Sequence, residues 1–235
     1  KLHFELVNEK MPILYRKYIL SFIKKSLSEY SEEYYKRLYD GNKPIIKPYT
    51  FSVFFEKPKI DNEEIILAKK YFDLNIAIQD YEIAVALYNS FNHEKNKSFL
   101  IRNNSWKLTN IIMLPEKNIT AESINIKFQS PLVARNRQNK KDYYYSYTNP
   151  EKFLETLKIN IREELKITDI PPETVETFEI TPIETKKVII KFYEKQIETS
   201  TGKFNIKGDK RLLEYLYKAG LGSKRSAGFG MFQII

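Results

Sequence analysis

Hydrophobic positions along the chain switch between a period of two and a helical period, and they do so twice. Leu2, Phe4 and Leu6 alternate with His3 and Glu5, the mark of a half-buried strand. After a turn over 8–12, Leu14, Tyr18 and Phe22, with Ile19, Ile23 and Leu27, recur at helical spacing. They predict a helix from near Leu14, with Lys17, Lys24 and Lys25 largely off its apolar face. Ser31-Glu32-Glu33 reads as a second helix start, a serine cap with acids in the first turn, and that helix carries Tyr34 to Tyr39. Asp40-Gly41-Asn42 breaks it, and the prolines of Lys43-Pro44-Ile45-Ile46-Lys47-Pro48 force an extended loop. Residues 49–55 are β-branched and aromatic and predict a strand, followed by a turn over 57–62. Phe72, Leu74, Ile76 and Ile78 alternate with polar or small neighbours as a further strand. Asp80 caps a helix burying Ile83, Ala84, Leu87 and Phe91, and strands over 99–102 and 106–114 end this half.

The second half repeats the order. Ile124, Ile126 and Phe128 alternate, and a basic, tyrosine-rich loop follows. Asn149-Pro150 then starts a helix with Phe153, Leu154, Leu157, Ile161 and Leu165 inward. Strands are expected over 175–180 and 188–193, with 196–206 as another arm of a hairpin. A short helix over 209–219 ends at Gly220, and the last strand spans 229–235. Two β-α-β-β-α-β units predict an α+β, tandem ferredoxin-like fold: one ferredoxin-like domain over 1–121 and a second, with a glycine-rich loop, over 122–235. Such a fold assigns no function by itself.

Composition narrows the chemistry. At 42% hydrophobic residues over 235 positions the chain can bury a real core. Without cysteine it has no disulfide, thiolate metal site or cysteine nucleophile, which fits a reducing compartment. No apolar run approaches the roughly 20 residues that span a bilayer, and no signal-peptide pattern opens the chain, so a cytoplasmic protein without membrane contact is expected. The net charge of +9 suits a polyanion. Lysine, isoleucine, asparagine and tyrosine are all abundant, however, so local clusters carry more weight than the total.

Three clusters stand out. Four of the seven glycines fall in Gly220-Leu221-Gly222-Ser223-Lys224-Arg225-Ser226-Ala227-Gly228-Phe229-Gly230, around a Lys-Arg pair and two serines. Unpaired amides and cations at one turn are a place to hold phosphate; the plainer alternative is a turn between helix and strand. Arg135, Arg137, Lys140 and Lys141 precede Tyr143, Tyr144, Tyr145 and Tyr147, and cations among aromatics suit RNA; the alternative is a solvated hairpin. Lys36, Arg37, Tyr39, Lys43, Lys47 and Tyr49 crowd one helix end, its loop and the next strand, where Tyr and Lys can move protons if tuned. His3 and His93 lie far apart and form no ligand pair, Glu163-Glu164 reads as a solvated helix face, and no acidic cluster has metal spacing. No metal and no cofactor are expected.

With these motifs the sequence resembles the CRISPR repeat-processing endoribonucleases, the sixth Cas family within the repeat-associated RNA-binding superfamily. The glycine signature at the extreme C-terminus is the specific feature; Ser130-Pro131-Leu132-Val133 and Tyr49-Thr50-Phe51-Ser52 support it. The resemblance implies a protein that binds the repeat RNA of a precursor CRISPR transcript. It implies cleavage in which the ribose 2′-OH attacks the adjacent phosphate without metal, giving a 2′,3′-cyclic phosphate and a 5′-OH. It places RNA contacts on Gly220, Gly222, Ser223, Lys224, Arg225, Ser226, Gly228 and Gly230, then on Arg135, Arg137, Lys140 and Lys141. A second copy of the chain and other Cas proteins of an effector complex are the protein partners it admits. Many members carry a histidine where this chain has Tyr39. The candidate catalytic set is therefore Tyr39 or Tyr49 as base or orienter, with Lys43 and Lys47 as charge stabilisers or acid. The open alternatives are a slow cutter, a repeat-RNA binder that does not cut, a structural subunit of an effector complex, and a tyrosine introduced by substitution.

Overall fold

The computed structural model describes residues 1–41 and 45–235, in two compact units: Lys1–Pro48 with Val53–Pro115, and Tyr49–Ser52 with Glu116–Ile235. Among the described residues no helix is long and apolar enough to cross a membrane.

The first unit is built on β1 (Leu2–Leu6), whose alternation buries Leu2, Phe4 and Leu6 and leaves Glu5 exposed. In chain order follow β2 (Lys10–Pro12), α1 (Tyr15–Tyr30), α2 (Glu32–Tyr39), β3 (Tyr49–Phe54, of which Tyr49–Ser52 is counted with the second unit), β4 (Lys59–Asp61), β5 (Glu64–Ile66), β6 (Tyr71–Ile78), α3 (Tyr81–Glu94), β7 (Ser98–Ile101) and β8 (Asn104–Ile111). The main sheet has the order β3-β6-β1-β8-β7. Its register sets Phe4 opposite Phe72 and Leu108, so the Phe4 and Phe72 rings stack at 4.7 Å with Trp106 edge-on at 4.9 Å from Phe72. Phe22 of α1 meets Phe4 edge-on at 5.1 Å and stacks on Phe91 of α3 at 5.8 Å, which closes the core with helices. Each such side chain contributes about 1.5–3 kcal/mol on burial. The helix starts are where the sequence puts them. Ser31 accepts from the Tyr34 amide at 3.4 Å and Asp80 from the Ile83 amide at 3.0 Å. The stretches 8–12 and 57–62 are not plain turns: β2 and β4 both pair with β5 in a small sheet, with strands too short for alternation to reveal them.

The second unit contains β9 (Ser123–Phe128), β10 (Ala134–Gln138), β11 (Lys141–Tyr145), α4 (Pro150–Leu165), β12 (Glu179–Phe192), β13 (Lys195–Lys207), α5 (Lys210–Ala219) and β14 (Phe232–Ile234). The sheet order is β12-β13-β9-β14, so in both units the third strand of the motif lies beside the first. The architecture is α+β and tandem ferredoxin-like. Phe128, Phe153, Leu157, Ile161, Phe204 and Leu216 are central to the core, and Ile119, upstream of the expected second domain, is buried with them. The tyrosine-rich loop is the hairpin β10–β11: Gln138 pairs with Lys141, and Asn139 and Lys140 take φ of 50° and 64°, the left-handed turn that matches strand twist. Val175 lies in a 3₁₀ turn over Pro172–Val175 and not in a strand, whereas β12 spans 14 residues with a register shift between Pro182 and Glu184.

Candidate nucleic-acid interface

The glycine-rich segment owes most of its composition to packing. A Cβ on Gly230 would lie 1.9 Å from the Leu221 carbonyl oxygen, and one on Gly222 would lie 2.5 Å from that of Val133; both have φ above 70°. Its amides are largely spent inside the unit. Gly220 donates to Leu216 O, Ser223 to Val133 O, Gly228 to Arg225 O and Gly230 to Pro131 O, at 2.7–2.9 Å. Gly220, Gly222, Gly228 and Gly230 are all buried. The expectation that these glycines present free donors to RNA is therefore corrected. Arg225 is corrected too. Only 6% exposed, it forms an ion pair from Nε to Glu164 Oε1 at 2.9 Å and donates from Nη1 to the Ala219 carbonyl at 2.8 Å. Glu164, expected on a solvated helix face, is buried on the inner side of α4. Burial pushes its carboxyl up to about 8, against the pull of Arg225. The pair is a keystone between α4 and the segment. Ser223, Lys224 and Ser226 remain partly accessible.

Lys224 is the cation the segment offers. Its φ of 60° turns it out of the backbone path, and its Nζ stands 5.1 Å from the centre of the Phe192 ring. Burial lowers its pKa first, then Arg135 and Lys195 lower it further, partly offset by Asp142. Arg135 and Lys195 both face Asp142, at 3.8 and 3.5 Å. Three hairpin or loop elements thus bring three cations around one carboxylate. β10–β11 brings Arg135 and Asp142, the turn of β12–β13 brings Lys195, and the glycine-rich segment brings Lys224. Arg135 and Arg137 alternate to one face of β10, opposite Tyr144 and Asp142. Arg137, Lys140 and Lys141 are exposed toward the hairpin tip. The sequence reading missed Lys195, although Phe192 paired with Lys195 across a two-residue turn is a hairpin signal.

In the first unit Tyr39 ends α2. The Nζ atoms of Lys24 and Lys47 each stand 5.1 Å from its ring centre, and Tyr35 packs at 5.5 Å. Lys47 is half-buried; burial lowers its pKa first, and the Lys24 charge lowers it further. A lysine so placed is a stronger acid than one in water. Lys24 escaped the sequence reading because it sits on the outer side of α1. Tyr49 is withdrawn from the catalytic set: it is fully buried in β3 and cannot meet a substrate. Lys43 lies outside the described residues. Lys36 and Arg37, in the same stretch, are tied to Glu32 at 2.6 Å, and to Asp80 and Glu82 at 2.7 and 2.6 Å. Glu29, His93 and Glu94 converge nearby, but Glu94 is already held by Lys25 at 2.7 Å and Lys97 at 2.9 Å.

Residues 114–234, more than half of the chain, match the family described as CRISPR associated protein Cas6, C-terminal. The chain belongs to the Cas6 family. Of the Cas6-family candidate sites, the cations at Arg135, Lys195 and Lys224 lie inside the matched stretch, whereas Lys24, Tyr39 and Lys47 lie outside it. Solved structures extend the likeness over the whole length. A Cas6-related protein from Pyrococcus furiosus is 23% identical, with a TM-score of 0.84 and coverage of 100% of this chain and 97% of that one. A RAMP protein described as binding different RNA substrates is 21% identical at a TM-score of 0.81, with both chains covered in full. A Thermus thermophilus Cas6 in a product complex is 15% identical at 0.73, covering 100% and 98%. At these identities the likeness establishes the fold. No curated protein matches the chain by sequence.

Proposed function

We propose that the chain binds the repeat RNA of a CRISPR precursor transcript and cleaves it by metal-independent transesterification. The observation that carries the reading is Tyr39 flanked by Lys24 and Lys47. The 2′-oxygen forms a bond to phosphorus, the bond from phosphorus to the 5′-oxygen breaks, and the products are a 2′,3′-cyclic phosphate and a 5′-OH. The nucleophile belongs to the RNA, so the protein has three tasks: to orient it, to receive its proton and to neutralise the phosphorane. Tyr39 orients the 2′-OH or takes its proton. Lys24 and Lys47 neutralise charge, and Lys47, with its lowered pKa, delivers a proton to the leaving 5′-oxygen. In the second unit Arg135, Lys195 and Lys224 hold backbone phosphate, with Arg137, Lys140, Lys141, Ser223 and Ser226 around them. The test is a repeat RNA incubated with the protein in EDTA. A single cut with a cyclic-phosphate end, abolished by a deoxyribose at the scissile position, is expected; cutting that survives the deoxy substitution sinks the mechanism.

A second reading is favoured by the phenol standing where an imidazole would give a base of neutral pKa: a repeat-RNA holder without turnover. Tight binding with no product after long incubation selects it.

A further inference from the structure

Asp142 differs from the tightly paired carboxylates of the second unit. Glu176 meets Arg162 at 2.6 Å and Asp209 meets Arg211 at 2.7 Å, the lengths of charge-assisted hydrogen bonds. Around Asp142 the cations stand off. Arg135 Nη1 is 3.8 Å from Oδ1, and Lys195 Nζ is 3.5 Å from Oδ2. The Tyr144 hydroxyl donates to Oδ2 at 3.5 Å, and Oδ1, sequestered from solvent, accepts no hydrogen bond among the described residues. Lys224 adds a third positive charge to the same point. Cations standing off at 3.5 and 3.8 Å, with a third charge acting on the same point, leave one planar carboxylate underused. They suit a larger tetrahedral oxyanion whose oxygens point in several directions.

We propose that Asp142 is an internal stand-in for an RNA phosphate. It occupies the point among Arg135, Lys195 and Lys224 in the free protein, and it turns aside when a backbone phosphate enters. This rests on the reading of those three cations as a phosphate site. The consequence is a higher threshold for binding. A carboxylate left inside a phosphate site repels every polyanion alike. Generic RNA, which has little beyond phosphate contacts to offer, is held weakly, and only an RNA with further contacts overcomes the repulsion. The charge balance agrees. Burial opposes ionisation of Asp142, yet Arg135, Lys195 and Lys224 outweigh it and hold the carboxyl below its ordinary value, so the stand-in is an anion at neutral pH.

The experiment measures binding of a short fluorescent oligouridylate to the full chain and to Asp142→Asn and Asp142→Ser. Both variants are expected to bind about five- to tenfold more tightly and to remain folded, since little hydrogen bonding is lost. Binding no tighter than that of the unaltered chain overturns the proposal. So does a fall in melting temperature on the order of 5 °C or more in both variants, which would make Asp142 the clamp of the cluster. A parallel arm carries Lys195→Ala with Lys224→Ala. If that variant binds the oligouridylate as well as the unaltered chain does, the phosphate-site reading fails and the proposal with it. If it binds more weakly while the Asp142 variants are unchanged, the stand-in alone is refuted.

Discussion

Arg225→Met distinguishes a keystone from an RNA contact. The substitution keeps the length of the side chain and deletes its charge, leaving Glu164 wholly buried without the guanidinium at 2.9 Å, and the Ala219 carbonyl without its donor. Breaking a fully ionised buried pair from one side costs about 3–5 kcal/mol, an upper bound here because Glu164 keeps its proton at pH 7. The chain has one escape, which is to protonate Glu164. With its carboxyl already raised to about 8, Glu164 keeps its proton at pH 7 in the unaltered chain too, so the cost of holding the neutral acid there, about 3.4 kcal/mol at 1.36 kcal/mol per unit above 4.5, is shared by both proteins. The lost hydrogen bond at Ala219 adds about 1 kcal/mol. The penalty therefore depends on pH with a definite sign. Below pH 4.5 the carboxyl is neutral in folded and unfolded chains alike and the charge cost vanishes. Between pH 4.5 and about 8 the unfolded chain gives up its proton first and both proteins lose stability in parallel; above about pH 8 the unaltered chain can ionise Glu164 against Arg225, and there the variant falls behind further. Urea unfolding of both proteins at pH 7 and at pH 9 reads this directly, and at pH 7 the variant should melt lower by on the order of 5–10 °C. Arg225→Met with Glu164→Leu should recover most of the loss, since an apolar pair replaces a buried ion pair at little cost. An Arg225→Met protein that melts as before but has lost RNA affinity would refute the reasoning and return Arg225 to the RNA contacts.

Other expectations follow from the same geometry. Lys47→Ala should slow cleavage more than it weakens binding; an equal loss of both would make Lys47 a simple phosphate contact. If Lys47 is the acid, the rate should fall as pH rises through its lowered pKa, and Lys47→Arg should push that falling limb to higher pH; a limb that stays put excludes the role. Lys195→Ala with Lys224→Ala should lower the slope of log affinity against log salt by about two, and an unchanged slope removes the cluster from the RNA. Burial opposes the charge on Glu94, but hydrogen bonds from Lys25 and Lys97 hold its carboxyl down at about 2. The first unit should keep that stabilisation above pH 4.5 and lose it toward pH 2; unfolding that is flat over this window contradicts it. Gly230→Ala, with a Cβ 1.9 Å from the Leu221 oxygen, should cost at least about 2–3 kcal/mol of unfolding stability.

Periodicity and punctuation, both local properties, determined the fold. Alternation in 2–6 and 124–128, the caps at Ser31 and Asp80, Pro150 at a helix start and Gly220 at a helix end are each legible within a few residues. The stretches holding the candidate sites were legible too, because Tyr39, Lys47, the cations after Arg135 and the glycine-rich segment each stand out by composition. What composition could not settle was the direction in which each side chain faces. Arg225 and Lys224 are neighbours in sequence and opposites in role, one buried on Glu164 and the other beside Phe192. Tyr39 and Tyr49 both flank the same loop, yet only Tyr49 is swallowed by the core. Lys24 joined Tyr39 only through the packing of α2 back on α1, and Lys195 joined Arg135 and Lys224 only through elements far apart in the chain. A charge on a surface and a charge in a core are spelled with the same residue. The choice between them is made by the partner and the dielectric that tertiary structure supplies.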